Sequence, residues 1–267
     1  MKVFAILRFA QDDNVILRAK PEESQHKTKF MNKYEIVKKI AQFAPPESAQ
    51  EWDCVGFIAE TDKTEISKIM LCLTPTKDVI KQALDQNCDM IISHHPMFEI
   101  DCRCGLVSES YSPKIDIYSA HTNMDLAKGG TTDTLIDVLG FKSKPAENDD
   151  FVRYVEFETP MPIDDFTNIL RKVSPKLRYV NNKGAKTVKK IGFCAGSGSE
   201  FISQAQENGA DCFVTGDLKF HTALDSEIVV FDIGHFESEI LILPVFKKLI
   251  GDGVEIVCAK ERSPFLQ

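Results

Sequence analysis

The sequence lacks any apolar run of the roughly 18 residues that a membrane-spanning helix requires, which argues against a membrane protein. It also lacks an excess of basic residues. A net charge of −8 over 267 residues argues against general nucleic-acid binding, which usually depends on a basic patch or stripe. No signal-peptide pattern is present, because the first apolar stretch is short and no small-residue cleavage site follows it. We therefore expect a cytoplasmic protein that acts on a small molecule.

The eight cysteines do not form a disulfide pattern. Several lie inside apolar, strand-like runs, such as Leu71-Cys72-Leu73 and Phe193-Cys194-Ala195. Such positions are typical of reduced core thiols in a cytosolic protein. A metal pair at Cys102-Arg103-Cys104 is the alternative for two of them, and its one-residue spacing is a weak signal.

Strand-like and helix-like segments alternate along most of the chain, which predicts an α/β protein with helices covering its sheets. Strands are predicted at residues 69–73, 90–93, 115–120, 152–158, 189–195, 212–215, 228–232 and 254–258. Helices are predicted at residues 32–43, 78–87, 132–139, 164–172, 200–208 and about 236–249.

This alternation and the polar connector at residues 142–150 predict two α/β domains. Residues 1–30 have no sustained period and form a non-core N-terminal extension. Residues 31–145 form the first domain and residues 146–267 the second, with the C-terminal segment a candidate to return to the first domain.

Five of the six histidines lie directly after strand-like runs, where open α/β sheets place their ligands. Imidazole nitrogens and carboxylate oxygens suit divalent Zn, Fe, Ni, Co or Mn. The candidate metal ligands are His94, His95, His121, Asp125, His235 and Glu239. Six ligands exceed what one tetrahedral ion with an open position needs, so they indicate two divalent ions per chain and hydrolytic chemistry. The alternative is a set of surface or core-capping histidines.

Backbone geometry suggests how these ligands are shared. Pro96 keeps His95 extended, so the adjacent His94 and His95 point to different sides and can each bind a different ion. His235 and Glu239 are four residues apart at a predicted helix start and share one face. His121 and Asp125 have the same spacing, but the residues between them favour a loop.

Two further motifs are candidates for substrate contacts. A turn of small residues between a strand and a helix can bind phosphate through its N–H groups, although such turns are also common for geometric reasons. This turn is Gly196, Ser197, Gly198 and Ser199. Asp217 and His221 are candidate acid/base or substrate-positioning groups, and a cap plus an ordinary surface histidine is the alternative.

From Met31 onward the ordered motifs resemble the GTP cyclohydrolase 1 type 2-like family of dinuclear-metal proteins. They comprise Glu51-Trp52-Asp53-x-x-Gly56, His94-His95-Pro96, His121-Thr122-Asn123-x-Asp125, Gly196-Ser197-Gly198-Ser199, Thr215-Gly216-Asp217 and Gly234-His235-x-x-x-Glu239. The resemblance implies two α/β domains with a metal pair in the cleft between them, toroidal homohexamers, and the six ligand roles given above. Thr74 and Thr132 depart from it, since the family usually has Asp and Asn there.

We expect a metal-dependent hydrolase, with a GTP cyclohydrolase-type opening of the guanine ring and release of formate as the named reaction. Phosphoester hydrolysis by a two-metal site is the second interpretation. The third is not enzymatic, namely a metal-carrying scaffold or regulatory protein.

Overall fold

The computed structural model describes residues 29–97, 114–143 and 150–265. The helices are α1 Lys33–Phe43, α2 Lys77–Asp85, α3 Thr122–Leu126, α4 Thr131–Val138, α5 Ile163–Leu170, α6 Ile202–Glu207, α7 Phe220–Asp225, α8 His235–Glu239 and α9 Leu243–Ile250. The strands are β1 Met31–Asn32, β2 Gly56–Ala59, β3 Glu65–Ile66, β4 Lys68–Cys72, β5 Met90–Ser93, β6 Asp116–Ser119, β7 Arg153–Pro162, β8 Arg178–Val180, β9 Thr187–Phe193, β10 Cys212–Thr215, β11 Val229–Asp232 and β12 Glu255–Cys258.

The chain divides into two compact units, and the predicted α/β class is confirmed for each. The first unit comprises Met1–Asn123 and Leu243–Glu261, and the second comprises Met124–Ile242 and Arg262–Gln267. The domain boundary predicted from the sequence lies near residue 145, whereas the boundary between the two compact units follows Asn123. Residues 1–28 of the predicted N-terminal extension lie outside the described residues, as does the Cys102–Cys104 pair.

The first unit contains a five-stranded sheet in the order β12-β4-β5-β6-β2. Four strands are parallel, and β2 runs antiparallel to β6 at one edge. The buried runs Ile69–Cys72 and Met90–Ile92 are apolar without alternation, as expected for parallel strands covered on both faces. Helix α2 packs on β5 and α9 on β4. The C-terminal strand therefore completes the sheet of the first unit.

The second unit contains a five-stranded sheet in the order β7-β9-β10-β11-β8. The three central strands are parallel and both edge strands are antiparallel. Helices α5 and α6 pack on it, and Phe166, Phe193 and Phe213 are fully buried in its core. Among the described residues, no helix has the length and hydrophobicity that crossing a membrane would demand.

Several predicted elements differ from the structure. The residues after His121 form α3 rather than a loop, so the loop interpretation was wrong. The single helix expected at 236–249 is two α-helices joined by a 3₁₀ segment at Ile240–Ile242. Strands β1, β2, β3 and β8 and helix α7 were not predicted, and β1, β3 and β8, with two or three residues each, are too short to show a period.

The described cysteines are free thiols, as the sequence predicts. Burial raises the pKa of the Cys72, Cys194 and Cys212 thiols well above the ordinary value, so these side chains are neutral and pack as small apolar groups.

Helix α1 begins and ends where local chemistry dictates. The Asn32 side chain accepts a hydrogen bond from Tyr34 N at 2.9 Å, which caps the N-terminus. The helix stops before Pro45, because the residue that precedes a proline is disfavoured in helical conformation. Ile36 and Ile40 lie on its buried face.

The first turn of α1 carries a buried cation, Lys33. Its Nζ donates to Thr61 O at 2.6 Å and lies 3.2 Å from Glu60 Oε1 and 3.5 Å from Asp116 Oδ2. Burial opposes the charge, but the two carboxylates outweigh it and raise the pKa of Lys33. The ammonium therefore stays charged and joins α1 to β6 and to the segment after β2.

We expect Lys33→Met to lower the free energy of unfolding by about 3–5 kcal/mol, because it leaves the buried Asp116 without its cation. Urea denaturation followed by circular dichroism measures the loss. Lys81→Met is the matched control, since Lys81 pairs with Asp85 on the exposed surface of α2 and its loss should barely move the midpoint. Equal effects of the two substitutions would contradict this role for Lys33.

Candidate functional site

The candidate ligands of the first unit follow the carboxyl ends of its parallel strands. His94 and His95 come directly after β5, and His121 comes two residues after β6. The register pairs Ser93 with Ser119, so His94 lies beside Ala120. His94 Nδ1 is 2.9 Å from Ala120 O, a carbonyl that can only accept, so Nδ1 is the donor. Backbone pairing thus fixes the orientation of this ring.

The three imidazoles of the first unit form one cluster. Their ring centroids are 5.0 Å apart for His94 and His95, 5.3 Å for His94 and His121, and 5.4 Å for His95 and His121. One ring nitrogen of each lies within 4.8 Å of the others. His94 is fully buried and His95 is 7% exposed. Three neutral imidazoles at this spacing could hold one divalent metal ion.

A carboxylate that precedes β2 orients His121. Asp53 Oδ1 accepts from His121 Nδ1 at 2.8 Å, and its Oδ2 accepts from Thr122 N at 3.0 Å. Burial opposes ionisation of Asp53, but these hydrogen bonds outweigh it and lower its pKa to about 2. An ionised carboxylate on Nδ1 fixes the tautomer that presents Nε2 to a metal. Asp53 belongs to the motif Glu51-Trp52-Asp53-x-x-Gly56, but no local pattern in the sequence indicates this role.

The residue before Asp53 provides a natural probe of this cluster. Trp52 is the only tryptophan in the chain, and its ring lies edge-on to His121 with centroids 6.3 Å apart. The indole is 63% exposed. Its fluorescence should therefore report what binds at His121.

His95 has a different kind of partner. Thr74, two residues after β4, places Oγ1 2.7 Å from His95 Nδ1. The departure from the family pattern noted at Thr74 thus lies beside a candidate ligand.

In the second unit, His235 and Glu239 occupy successive turns of α8, as the sequence predicts. His235 Nε2 is 2.8 Å from Glu239 Oε2, and His235 Nδ1 is 2.7 Å from Asp217 Oδ2. Burial alone would lower the pKa of His235, but the hydrogen bonds with Asp217 and Glu239 outweigh it and raise the pKa to about 10. The helix therefore directs an imidazole and a carboxylate to one point.

Asp125 lies in α3 within the same unit, and one of its carboxylate oxygens is within 4.8 Å of one from Glu239. The hydroxyl of Thr131 donates to Asp125 Oδ1 and orients it. Glu239 thus lies close to both Asp125 and His235, and the second unit offers two anionic oxygen donors beside its imidazole.

Asp217 is positioned to hold His235 rather than to transfer a proton. It follows β10, which lies beside β11, so it reaches the residue that begins α8. Its hydrogen bond with His235 lowers the pKa of the Asp217 carboxyl, which favours the ionised acceptor over a proton donor. His221, the other candidate for acid/base chemistry, is exposed on α7, with its ring 5.4 Å from that of Phe220.

The turn from Gly196 to Ser199 donates hydrogen bonds to neighbouring segments of the protein, which the sequence did not suggest. Gly196 N donates to Ser238 Oγ at 2.9 Å, and Gly198 N donates to Thr215 Oγ1 at 2.8 Å. Gly196 has a φ of +68°, and a Cβ there would lie 2.0 Å from Glu239 Oε1. These contacts fit a packing role for the turn around the Glu239 carboxylate, more than the binding of a phosphate.

A pocket of about 290 Å³ opens beside His235 in the second unit. Its lining includes Lys176, Arg178, Asp217, His235, Glu237 and Phe265. Arg178 Nη2 is 2.8 Å from Asp232 Oδ2, which holds the guanidinium at the wall. Cationic, acidic and aromatic side chains together suit a small polar ligand.

The donor set fits divalent metal ions. All four imidazoles bond through Nδ1 to a protein oxygen, which is the usual arrangement when Nε2 is the metal ligand. Gly196 leaves room for the Glu239 carboxylate, which any side chain at that position would displace. The structure thus contains candidate ligands and, beside them, the groups that orient them.

Comparison with known proteins identifies the family of this chain. A family model described as Duf34/NIF3 (NGG1p interacting factor 3) matches residues 31–264. The chain is 31% identical over 256 residues to a GTP cyclohydrolase 1 type 2 homolog of Clostridium perfringens, covering 86% of this chain and 97% of that protein. It is 33% identical over 221 residues to the homolog of Clostridium acetobutylicum, covering 75% and 82%. The solved structure of reduced HcgD from Methanocaldococcus jannaschii matches with a TM-score of 0.74 at 26% identity, covering 87% and 99%. The resemblance drawn from the motifs is confirmed.

Glu239 and Glu237 both lie on α8, but only Glu239 is expected to contribute to metal binding. Glu239 is 4% exposed and contacts His235, whereas Glu237 lines the pocket. We expect Glu239→Gln to lower metal affinity by about 10-fold or more, because it removes an anionic ligand. Glu237→Gln should change it little. Calorimetric metal titration of both variants makes the comparison, and a larger loss for Glu237→Gln would overturn the ligand assignment.

Proposed function

Because this chain belongs to the Duf34/NIF3 family, we propose that it is a metal-dependent hydrolase that binds two divalent ions per chain and opens the guanine ring of GTP. The ligands are His94, His95 and His121 of the first unit and Asp125, His235 and Glu239 of the second. The observation that carries the proposal is the shared arrangement of the four imidazoles, each held at Nδ1 by a protein oxygen. An oxygen on Nδ1 orients the ring and leaves Nε2 as the nitrogen for the metal, and at His235 the ion must displace the proton that Nε2 shares with Glu239.

The reaction consumes water. One water adds at C8 of the guanine ring, a ring C–N bond breaks, and the released nitrogen takes up a proton. A second water then adds to the same carbon, now a formamide, its remaining C–N bond breaks, that nitrogen takes up a proton, and the carbon leaves as formate. The metal ions would supply Lewis acidity and a nucleophile at neutral pH. The chain itself must bind the substrate and deliver the proton to nitrogen.

The pocket of the second unit supports a small polar substrate. Lys176 and Arg178 bring positive charge to its lining, which is suited to phosphate oxygens, and Phe265 offers an aromatic face to a base. Asp217 is engaged by His235, so Glu237 is the pocket carboxylate that we assign to proton transfer. This replaces Asp217 and His221 as the leading acid/base candidates.

The test is an activity screen of metal-loaded protein against GTP, other nucleotides and phosphoesters, with formate and phosphate as the measured products. We expect formate from GTP, and none from His95→Ala. Glu237→Gln should keep its metal and lose about 10²–10⁴-fold in turnover, the typical contribution of a general acid or base. Phosphate release alone would instead assign phosphoester hydrolysis. Metal binding without any turnover would leave a metal-carrying protein and refute the hydrolase.

We further propose that the protein is a cytoplasmic homohexamer, on the basis of its family membership and its free cysteines. Light scattering at micromolar concentration should report about six times the 30.0 kDa chain mass. A monomer at that concentration would contradict the assembly.

A further inference from the structure

The four candidate imidazole ligands differ in what holds them. The partners of Nδ1 are a backbone carbonyl for His94 (Ala120), a hydroxyl for His95 (Thr74), and a carboxylate for His121 (Asp53) and for His235 (Asp217). Carbonyls and carboxylates only accept, so they require a proton on Nδ1. The Thr74 hydroxyl can donate or accept, and it carries no charge. The hydroxyl therefore orients the His95 ring without placing a negative charge beside Nδ1.

We propose that Thr74 is the positioning residue of His95, and that Glu261 acts through Thr74 to hold it in place. This inference rests on the proposed binding of metal ions by His95. The orientation of the His95 ring decides whether Nε2 can bind the metal ion.

Backbone pairing brings the two residues together. Strand β4 lies beside β5, with Cys72 opposite Ser93. The pairing continues past the strand ends, because His95 N donates to Leu73 O at 2.8 Å. Thr74 therefore lies level with His95, and its Oγ1 reaches Nδ1 at 2.7 Å. The sheet register thus brings the two residues side by side, and the Thr74 hydroxyl turned towards the ring completes the contact.

Glu261 holds the backbone on which Thr74 sits. Its Oε2 accepts from Leu73 N at 2.7 Å, and its Oε1 accepts from Thr74 N at 2.9 Å. Burial raises the pKa of Glu261, and the two N–H groups oppose that change. A carboxylate is thus withdrawn from water to satisfy two N–H groups that follow the end of β4. Removing it would free Thr74 to turn its hydroxyl away from His95.

The experiment measures metal affinity through quenching of Trp52 fluorescence by Ni²⁺, with bound metal counted by mass spectrometry after dialysis. We expect Thr74→Val, which keeps the shape and removes the hydroxyl, to weaken binding by about 10- to 100-fold. Thr74→Ser should restore near wild-type affinity. Thr76→Val is the matched control, since the Thr76 hydroxyl caps α2 through Val79 N and does not touch a candidate ligand. It should lower stability and leave metal affinity unchanged.

A double-mutant comparison tests Glu261. If Glu261 acts through Thr74, Glu261→Gln weakens metal binding, and adding it to Thr74→Val causes no further loss. Fully additive losses would remove Glu261 from the proposal. Wild-type affinity in Thr74→Val, while the wild-type protein binds Ni²⁺ normally, would overturn the role of Thr74. Failure of the wild-type protein to bind any metal would instead refute the proposed function.

Discussion

The register of parallel strands is the constraint on which the candidate ligands depend. In the first unit, Cys72, Ser93 and Ser119 are paired across three neighbouring strands, so the residues that follow them emerge level with one another. A slip of one residue in any of these pairs would turn the following side chains to the opposite face. In the second unit, the pairing of Thr215 with Asp232 brings the segments after β10 and β11 together in the same way. Rigid strand ends thus set the precision of both ligand groups.

The sequence predicts those parts of the molecule whose signal is local. Apolar runs without alternation mark the central parallel strands, and the apolar period with Asn32 and Pro45 marks α1. Histidines directly after the strands then identify the candidate ligands, because strand ends are where α/β proteins bind. A pattern of this kind depends on neighbours in the chain, so one sequence is enough to find it.

What the sequence could not predict is the set of groups that orient the ligands. Asp53 precedes His121 by 68 residues, and Glu261 follows Thr74 by 187 residues. No local period connects such pairs, and only the folded register shows that they meet. The break in the helix after Glu239 was missed for a related reason: its apolar residues continue the helical pattern, while the chain passes from the second unit to the first at Ile242. The one sequence signal that points to Asp53 is its place in the motif Glu51-Trp52-Asp53-x-x-Gly56.

The hydrogen bonds of Asp53 explain how an ionised carboxylate is tolerated where its side chain is buried. Asp53 loses its water shell and gains hydrogen bonds from His121 and from both the N–H and the hydroxyl of Thr122. Replacing water by protein hydrogen bonds is favourable only when the carboxylate oxygens are satisfied. The network therefore holds Asp53, His121 and Thr122 in one arrangement.

The return of the C-terminal strand to the first sheet sets an order of events during synthesis. Most of the second unit is one stretch, Met124–Ile242, so it can begin to fold once that stretch leaves the ribosome, and Arg262–Gln267 joins it later. The first unit must wait, because β12, which pairs with β4, is made only after the stretch Met124–Ile242. Glu261 arrives later still, and with it the clamp on the backbone of Thr74. A nascent chain therefore holds His95 without this clamp until Glu261 has been made, 166 residues (261 minus 95) after the histidine itself.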